Sequence, residues 1–363
     1  MFDDLVRTWD GELVVVSHDP ESGAWFFVCI HSTALGPAGG GTRLKTYPTP
    51  TEGLADGLRL SAGMTRKFAV ADLPYGGGKA VISLPEMPAP SERRRLILRH
   101  ADLVDSLGGT FLTAPDVNTS EADMDVMAER TPHVLCRTPA NGGSGDPSPS
   151  TARGVFHGIR SSLDHVYGSP DTTGRTVLVQ GVGAVGKRLV FDLLDTGARV
   201  LVSDVDGGRA RKLAEQTGVC AIDPRAASEI ECDVFAPCAL GGVLNERSIP
   251  RLRCAVVAGS ANNQLASPED AERLTEAGIL YAPDYVINAG GALHGIGLEV
   301  FKWTQETLER RLQGIGKTLT QLFMTADAEE ITTEESAARM AAERLAESRP
   351  AEGPARGPAL THR

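Results

Sequence analysis

The sequence has little lysine, no closely spaced cysteines and no long apolar run, and each scarcity narrows the possible functions. Only 7 of its 36 basic residues are lysine. The 6 cysteines are scattered without a Cys-x-x-Cys pair, which argues against a disulfide framework or a zinc site. No apolar run reaches the roughly 20 residues of a membrane span, and the N-terminus lacks the pattern of a signal peptide. We therefore expect a cytoplasmic protein with free thiols and no membrane partner.

Length and charge set the next limits. A chain of 363 residues exceeds one ordinary globular core, so two domains are expected. The net charge of -11 argues against nucleic acid as a partner, although it leaves room for a locally basic cleft. A cluster of glycine, proline and serine at 139–149 interrupts all periodicity and is the expected linker. The last residues, 349–363, are rich in proline and glycine and are expected to form a disordered tail.

The pattern of apolar residues differs on the two sides of this linker. Before it, segments 12–17 and 25–30 are typical of a strand hairpin, and 51–64 and 91–106 of helices, the second capped by Ser91. After it, short strands at 176–180, 199–203, 234–236 and 255–258 alternate with helices. Such alternation predicts a parallel sheet with helices on both faces. The expected fold class is thus α/β, with an N-terminal α/β domain followed by a Rossmann-type, doubly wound domain.

A glycine-rich turn follows the strand at 176–180 and fits the Gly-x-Gly-x-x-Gly pattern of dinucleotide-binding proteins. It comprises Gly181, Val182, Gly183, Ala184, Val185 and Gly186. Its glycines would let the backbone approach a pyrophosphate, and the following helix N-terminus would face the anion. Asp204 ends the next strand, where it would accept hydrogen bonds from the adenosine ribose and repel a 2′-phosphate. We expect NAD as the cofactor, with NADP disfavoured.

Two of the scarce lysines, Lys67 and Lys79, bracket an apolar stretch that ends in three glycines. A lysine can lose its proton and act as a base when it is buried or lies beside another cation, whereas arginine cannot. Spacing alone, however, favours two ordinary lysines whose tips reach water. The pattern around Lys79 is not a phosphate-binding loop, because Leu73 stands where that motif has glycine.

The motifs around these lysines closely resemble the amino-acid dehydrogenases that act on glutamate, leucine, valine and phenylalanine. The resemblance runs in order from about residue 10 to 345. Its matching stretches are GPAGGGTR (36–43), GMTRK (63–67), LPYGGGK (73–79), TAPDVNT (113–119), DPSPST (146–151), the glycine turn, FAPCALGG (235–242), GSANN (259–263) and YAPDYVINAGG (281–291).

The resemblance implies a role for each matching residue. Lys67 would bind the substrate α-carboxylate, and Asp116 would hold the substrate amine and relay protons. Lys79 would be the general base, with a pKa lowered by burial and by the Lys67 cation. On residue type alone, Asp116 is equally an ordinary loop residue.

The resemblance also assigns residues to the nicotinamide half of the cofactor. Thr151 would contact the carboxamide, and Asn262 would contact both the ribose and the substrate, a role that Asn263 is equally placed to share. By residue type, Thr151 is also a candidate helix N-cap and the asparagine pair a turn. Further cofactor contacts are expected at Ala239, Ser260, Ala261 and Asn288.

The same family pattern suggests an active site in the cleft between two domains. Residues 1–138 would form the substrate-binding and catalytic domain, with a C-terminal return over 316–348. Residues 139–315 would form the NAD-binding domain. Closure of the cleft would exclude water. The resemblance also implies a homo-oligomer, without fixing its size.

The substrate side chain is the least determined feature. Glutamate-specific members place a lysine at the position of Gly39, so a second carboxylate would be buried here without a cation. Small residues are expected around the substrate at Gly39, Gly40, Ala114, Ala292 and Gly295. Small walls would enlarge the cavity and favour an aromatic substrate such as L-phenylalanine. The DPSPST stretch instead resembles branched-chain enzymes, which is the alternative. A non-catalytic NAD-binding regulator is a further alternative, although both lysines and Asp116 are present.

Overall fold

In a computed structural model, described here for residues 2–239 and 241–347, the chain forms two β-sheets with helices packed around them. The strands are β1 Leu13–Asp19, β2 Ala24–Ser32, β3 Ala38–Thr46, β4 Gly76–Leu84, β5 Phe111–Pro115, β6 Thr176–Gln180, β7 Arg199–Ser203, β8 Cys220–Ala221, β9 Val234–Pro237, β10 Val256–Val257 and β11 Leu280–Tyr281. The helices are α1 Phe2–Trp9, α2 Pro50–Val70, α3 Pro90–Asp105, α4 Glu121–Met127, α5 Ser148–Tyr167, α6 Ala184–Asp195, α7 Gly207–Thr217, α8 Asp270–Glu276, α9 Asp284–Ile287, α10 Gly290–Gly295, α11 Gln305–Glu329 and α12 Thr333–Glu347.

The first sheet has the order β1-β2-β4-β3-β5. The hairpin of β1 and β2 is antiparallel, as predicted, and β2 also pairs antiparallel with β4. Strand β3 lies parallel to both β4 and β5. Strand β4, which carries Lys79, is buried along its whole length at the centre of the sheet.

The second sheet is entirely parallel, with the order β11-β10-β9-β6-β7-β8. The strand order reverses beside β6, so the glycine turn after β6 lies at the position where doubly wound sheets bind ligands. The fold class predicted from the sequence, an N-terminal α/β domain with a Rossmann-type domain, is confirmed.

Two helix predictions needed correction. Helix α2 continues past the expected end at 64 to Val70, since its last turn packs into the core that joins the two halves of the chain. Helix α3 is not capped by Ser91. Its N-cap is Ala89, and Pro90 occupies the first helical position, where a missing N–H costs no hydrogen bond.

Helices α11 and α12 complete the packing. Helix α11 lies against α5, and α12 returns to α2, where Arg344 donates to the carbonyl oxygens of Ala69 and Val70. Cations at the C-terminal end of a helix satisfy its free carbonyls and oppose its dipole. The expected tail, 349–363, lies outside the described residues, and none of the described helices is long and apolar enough to cross a membrane.

Candidate active site

The two predicted lysines reach one cavity from neighbouring elements. Lys67 lies in the last turn of α2, and Lys79 lies in β4, on which that helix packs. Gly77 makes the close packing possible, because any side chain there would collide with the backbone of Thr65. Glycine at such a contact lets a helix approach a strand more closely than other residues allow.

Lys79 belongs to a buried chain of alternating charges. Its Nζ lies 3.0 Å from Oδ1 of Asp116, and Nε of Arg43 donates to Oδ2 of the same carboxylate at 2.7 Å. Arg43 Nη1 in turn lies 2.8 Å from Oδ2 of Asp56, which also accepts a hydrogen bond from Tyr47. Each of these four charged side chains thus has a partner of opposite charge, in an environment where an unpaired charge would destabilise the fold.

The pKa directions suit a base that is released from a salt bridge. Burial lowers the pKa of Lys79, while Asp116 opposes that shift. Arg43 is the cation that lowers the pKa of Lys79 most, and the charge of Lys79 in turn lowers the pKa of Lys67. Burial would raise the pKa of Asp116, but Lys79 and Arg43 outweigh it and hold the carboxyl well below its usual range.

Lys67 is fixed by the second half of the chain. Its Nζ donates to Oδ1 of Asn262 at 3.2 Å, and Asn288 donates to the same oxygen at 2.9 Å. Burial lowers the pKa of Lys67 to about 8, and Asp284 is the largest influence in the opposite direction. The carboxylate of Asp284 is held by the backbone N–H of Gln264 at 2.8 Å. An ammonium in this position can meet a carboxylate.

A cavity of about 280 Å³ opens between elements of the first sheet and helices of the second. Its lining is mostly apolar with a few convergent polar groups, as in small-molecule sites. The predicted residues that line it are Gly39, Gly40, Lys67, Lys79, Ala114, Asp116, Thr151, Val185, Ser260, Asn262, Asn288, Ala292 and Gly295. Asn263 lines it too.

The cavity is not enlarged in the way the small residues suggested. A Cβ on Gly39 would lie 2.9 Å from Cζ of Phe68, and one on Gly295 would lie 3.0 Å from Sγ of Cys136. Neighbouring side chains therefore fill the space that the two glycines leave. The expected enlargement of the cavity by small lining residues was therefore wrong, because the space beside each glycine is filled by a residue distant in sequence.

The glycine turn after β6 is closely packed at two of its glycines and open at the third. Gly181 has a φ of 96° and faces Ala239, whose Cβ would lie 2.6 Å from an added Cβ. Gly186 packs against the carbonyl of Gly181. A side chain on Gly183, the N-cap of α6, would meet nothing within 4 Å, so the space before this helix N-terminus is open.

Asp204 supports this turn from the end of β7. It is 5% exposed, and its Oδ2 accepts from the backbone N–H of Val182 at 2.9 Å. Its Oδ1 accepts from the N–H of Asp206 at 2.9 Å, and Nη1 of Arg209 lies 3.3 Å from Oδ2. A carboxylate has about four lone-pair sites, which leaves capacity for a ribose hydroxyl.

The remaining predicted cofactor residues lie in three separate elements. Ala184 begins α6, and Ala261 accompanies Ser260 and Asn262 in the loop after β10. Thr151 lies inside α5, whose N-cap is Pro147, so the alternative that Thr151 caps this helix was wrong. Its hydroxyl donates to the carbonyl of Pro147 at 3.1 Å and lines the cavity.

Sequence reasoning missed several residues of this site. Arg43 and Asp284 lie inside motifs already recognised: Arg43 shares the carboxylate of Asp116 with Lys79, and Asp284 raises the pKa of Lys67. Tyr75 also lies inside a recognised motif and lines the cavity, as do Phe68 and Leu135, which belong to none of the matching stretches. For Phe68, its position directly after Lys67 was the available signal.

Comparison with known proteins gives the family. The sequence model of the Glu/Leu/Phe/Val dehydrogenase dimerisation domain matches residues 19–133. That of the glutamate/leucine/phenylalanine/valine dehydrogenases matches residues 202–353.

The relatives match over nearly their whole length. Leucine dehydrogenase of Geobacillus stearothermophilus is 40% identical over 96% of this chain and 94% of that protein. Valine dehydrogenase of Streptomyces virginiae is 44% identical over 92% of this chain and 93% of that protein. The crystal structure of L-tryptophan dehydrogenase from Nostoc punctiforme superposes with a TM-score of 0.77 at 37% identity, covering 96% of this chain and 99% of that one. The chain therefore belongs to the glutamate/leucine/phenylalanine/valine dehydrogenase family and is an amino-acid dehydrogenase.

Proposed function

We propose that the protein oxidises a branched-chain L-amino acid with NAD to the 2-oxo acid and ammonia, and catalyses the reverse reductive amination. One observation carries the proposal: Lys67, Lys79 and Asp116 converge on a single cavity whose other walls are largely apolar. The matches to enzymes named leucine and valine dehydrogenase favour a branched-chain substrate. The aromatic preference expected from the sequence rested on a larger cavity, and side chains beside Gly39 and Gly295 fill that extra space.

The lining of the cavity supports an apolar substrate side chain. Phe68, Leu112, Leu135 and Ile296 contribute apolar surface, and the lysines are the cations of the described lining. In this proposal Lys67 binds the α-carboxylate and Lys79 acts as the general base, so neither is free to pair with a second carboxylate. A glutamate side chain would bury its second carboxylate unpaired, which disfavours it strongly. The match to a tryptophan dehydrogenase keeps an aromatic substrate as the second candidate.

The residues of this chain divide the reaction between them. Lys67 pairs with the substrate α-carboxylate and fixes the Cα, while Asn262 holds the lysine from the opposite side. Asp116 accepts a hydrogen bond from the substrate amine, and this contact loosens its hold on Lys79. Neutral Lys79 then takes a proton from the water that attacks the imino carbon of the oxidised substrate. Ammonia leaves, and the carbonyl of the 2-oxo acid forms.

The glycine turn supports NAD as the cofactor, since the space before the helix N-terminus at Gly183 is open and Asp204 would accept hydrogen bonds from the ribose. Held there, NAD would supply the acceptor for the hydride of the substrate Cα. Thr151, Ser260 and Asn288 line the cavity where they would orient the nicotinamide end. Asp204 would disfavour the 2′-phosphate of NADP by charge repulsion.

Domain division and assembly form part of the proposal. We assign residues 1–138, with the return over 316–348, to the substrate domain and 139–315 to the NAD domain. Closure of the cleft between them would exclude water from Lys79. We also propose a cytoplasmic homo-oligomer. The dimerisation domain named in the matched family supports assembly, and the free cysteines support a reducing compartment.

A substrate panel tests the proposal. Leucine, valine, isoleucine, phenylalanine, tryptophan, tyrosine and glutamate would each be supplied with NAD or NADP, and NADH or NADPH formation followed by absorbance. We expect kcat/KM for the best branched-chain substrate to exceed that for any aromatic one at least about tenfold. A higher value for phenylalanine or tryptophan would favour the second candidate. NAD binding without turnover of any substrate would favour a non-catalytic regulator.

A further inference from the structure

The ring of Phe68 occupies the space beside Gly39. Gly39 in β3 and Phe68 in α2 both line the substrate cavity. A Cβ added to Gly39 would lie 2.9 and 3.0 Å from two atoms of the Phe68 ring, closer than packed carbon atoms can lie. Gly39 has no positive φ, so it is the ring, and not the backbone conformation, that excludes a side chain at 39.

The ring is held in place and cannot easily move aside. Phe68 is 2% exposed and belongs to the core that joins the two halves of the chain. Its ring centroid lies 6.0 Å from that of Tyr75, which in turn lies 6.5 Å from that of Phe301 in an edge contact. Aromatic rings at these separations attract each other in addition to the burial of their surface.

Phe68 also follows the carboxylate anchor directly in sequence. Lys67 and Phe68 share the last turn of α2, and both line the cavity. The ring beside Gly39 is therefore carried by the same helix turn as the proposed carboxylate anchor. Cys136 lies in a similar way beside Gly295, where an added Cβ would be 3.0 Å from its Sγ.

We propose that Phe68 is a specificity-determining residue, whose ring takes the place of a side chain at 39 and limits the cavity to branched aliphatic substrates. The inference rests on the proposed function, because it explains which apolar amino acid the site accepts. It identifies the pair of positions 39 and 68, and not Gly39 alone, as the wall of the substrate side-chain pocket.

Shortening the ring provides the first test. In Phe68→Leu, the removed ring atoms leave space that a larger substrate can fill. We expect the ratio of kcat/KM for phenylalanine to that for leucine to rise about tenfold or more, mainly through a lower KM for phenylalanine. Phe26→Leu is the matched control, because Phe26 is a fully buried ring in β2 that does not line the cavity. Its ratio should stay within about twofold of the parent enzyme.

A double substitution tests whether 39 and 68 share one space. Gly39→Ala alone should lower kcat/KM for leucine at least about tenfold, because its Cβ collides with a ring that cannot retreat. Combining it with Phe68→Leu should recover most of that loss, so the two effects should not add. If Phe68→Leu fails to fold, Gly39→Ala decides alone.

The outcomes separate this inference from the proposed function. An active parent enzyme with an unchanged substrate ratio in folded Phe68→Leu, or with Gly39→Ala as active as the parent, would overturn the inference only. Additive losses in the double variant would also overturn it. A parent enzyme that turns over no apolar amino acid would instead overturn the proposed function.

Discussion

Replacing Asp116 with asparagine removes the one anion that Lys79 and Arg43 share. The three side chains are 13%, 5% and 12% exposed, so the two cations would remain buried with a single carboxylate, that of Asp56. Removing one partner of a buried ion pair costs about 3–5 kcal/mol of stability. Because the amide oxygen of Asn can still accept a hydrogen bond, we expect the free energy of unfolding to fall by about 3 kcal/mol. At about 2–4 °C per kcal/mol, Tm should fall by about 6–12 °C.

Activity should fall more than stability explains. Without the carboxylate, the substrate amine loses its anionic acceptor and proton relay, and kcat/KM should fall by a factor of about a hundred or more. Because Asp116 raises the pKa of Lys79, its loss should also move the acid limb of the residual pH profile to lower pH. Asp123→Asn is the control. Asp123 Oδ2 lies 2.7 Å from Nη2 of Arg93, and neither residue lines the cavity. This substitution should lower Tm while leaving kcat unchanged. An Asp116→Asn enzyme with parental kcat/KM, or with an acid limb at higher pH, would refute this reasoning.

Three further predictions follow from the charges and glycines of the site. Asp284→Asn removes the anion that raises the pKa of Lys67. The alkaline limb of the pH profile of kcat/KM, where Lys67 loses its charge, should therefore move to lower pH. An unmoved limb would count against Lys67 as the carboxylate anchor. Asp204→Asn should narrow the preference for NAD over NADP at least about tenfold, and an unchanged ratio in initial-rate assays would contradict the ribose role. Gly183→Ala should leave Tm unchanged, because its Cβ meets no protein atom, but should weaken NAD binding in calorimetry by occupying the open space before α6. Gly186→Ala should lower Tm, because its Cβ would collide with the carbonyl oxygen of Gly181. Equal Tm losses in the two variants would be inconsistent with this geometry.

Four of the six strands of the second sheet could be predicted because their signals are local, whereas the two-residue strands β8 and β11 were not predicted. Strands β6 and β7 match their predicted bounds, since runs of β-branched residues are ended by glycine or acidic turns. The glycine-rich strands β3 and β4 carried no such signal. Glycine disfavours strands by propensity, and here it is present because a helix and neighbouring backbone pack closely against it.

The candidate site shows the same division between local and distant causes. Lys67, Lys79 and Asp116 were predicted from motifs, and the structure places all three at one cavity. The volume of the pocket could not be predicted, because it depends on Phe68 meeting Gly39 across a helix–sheet contact. The influence of Arg43 on the pKa of Lys79 could not be predicted either, because Arg43 lies near Lys79 only after β3 and β4 pair.

The central claim is that Lys79 is the general base of an apolar amino-acid dehydrogenase, and Lys79→Met tests it most directly. Methionine fills a similar volume in the buried strand but cannot accept a proton. The measurement is kcat with leucine and NAD, paired with NAD affinity by calorimetry. We predict that kcat falls by a factor of about a hundred to ten thousand while NAD affinity stays within about threefold of the parent. A folded Lys79→Met enzyme that retains parental kcat would contradict the claim.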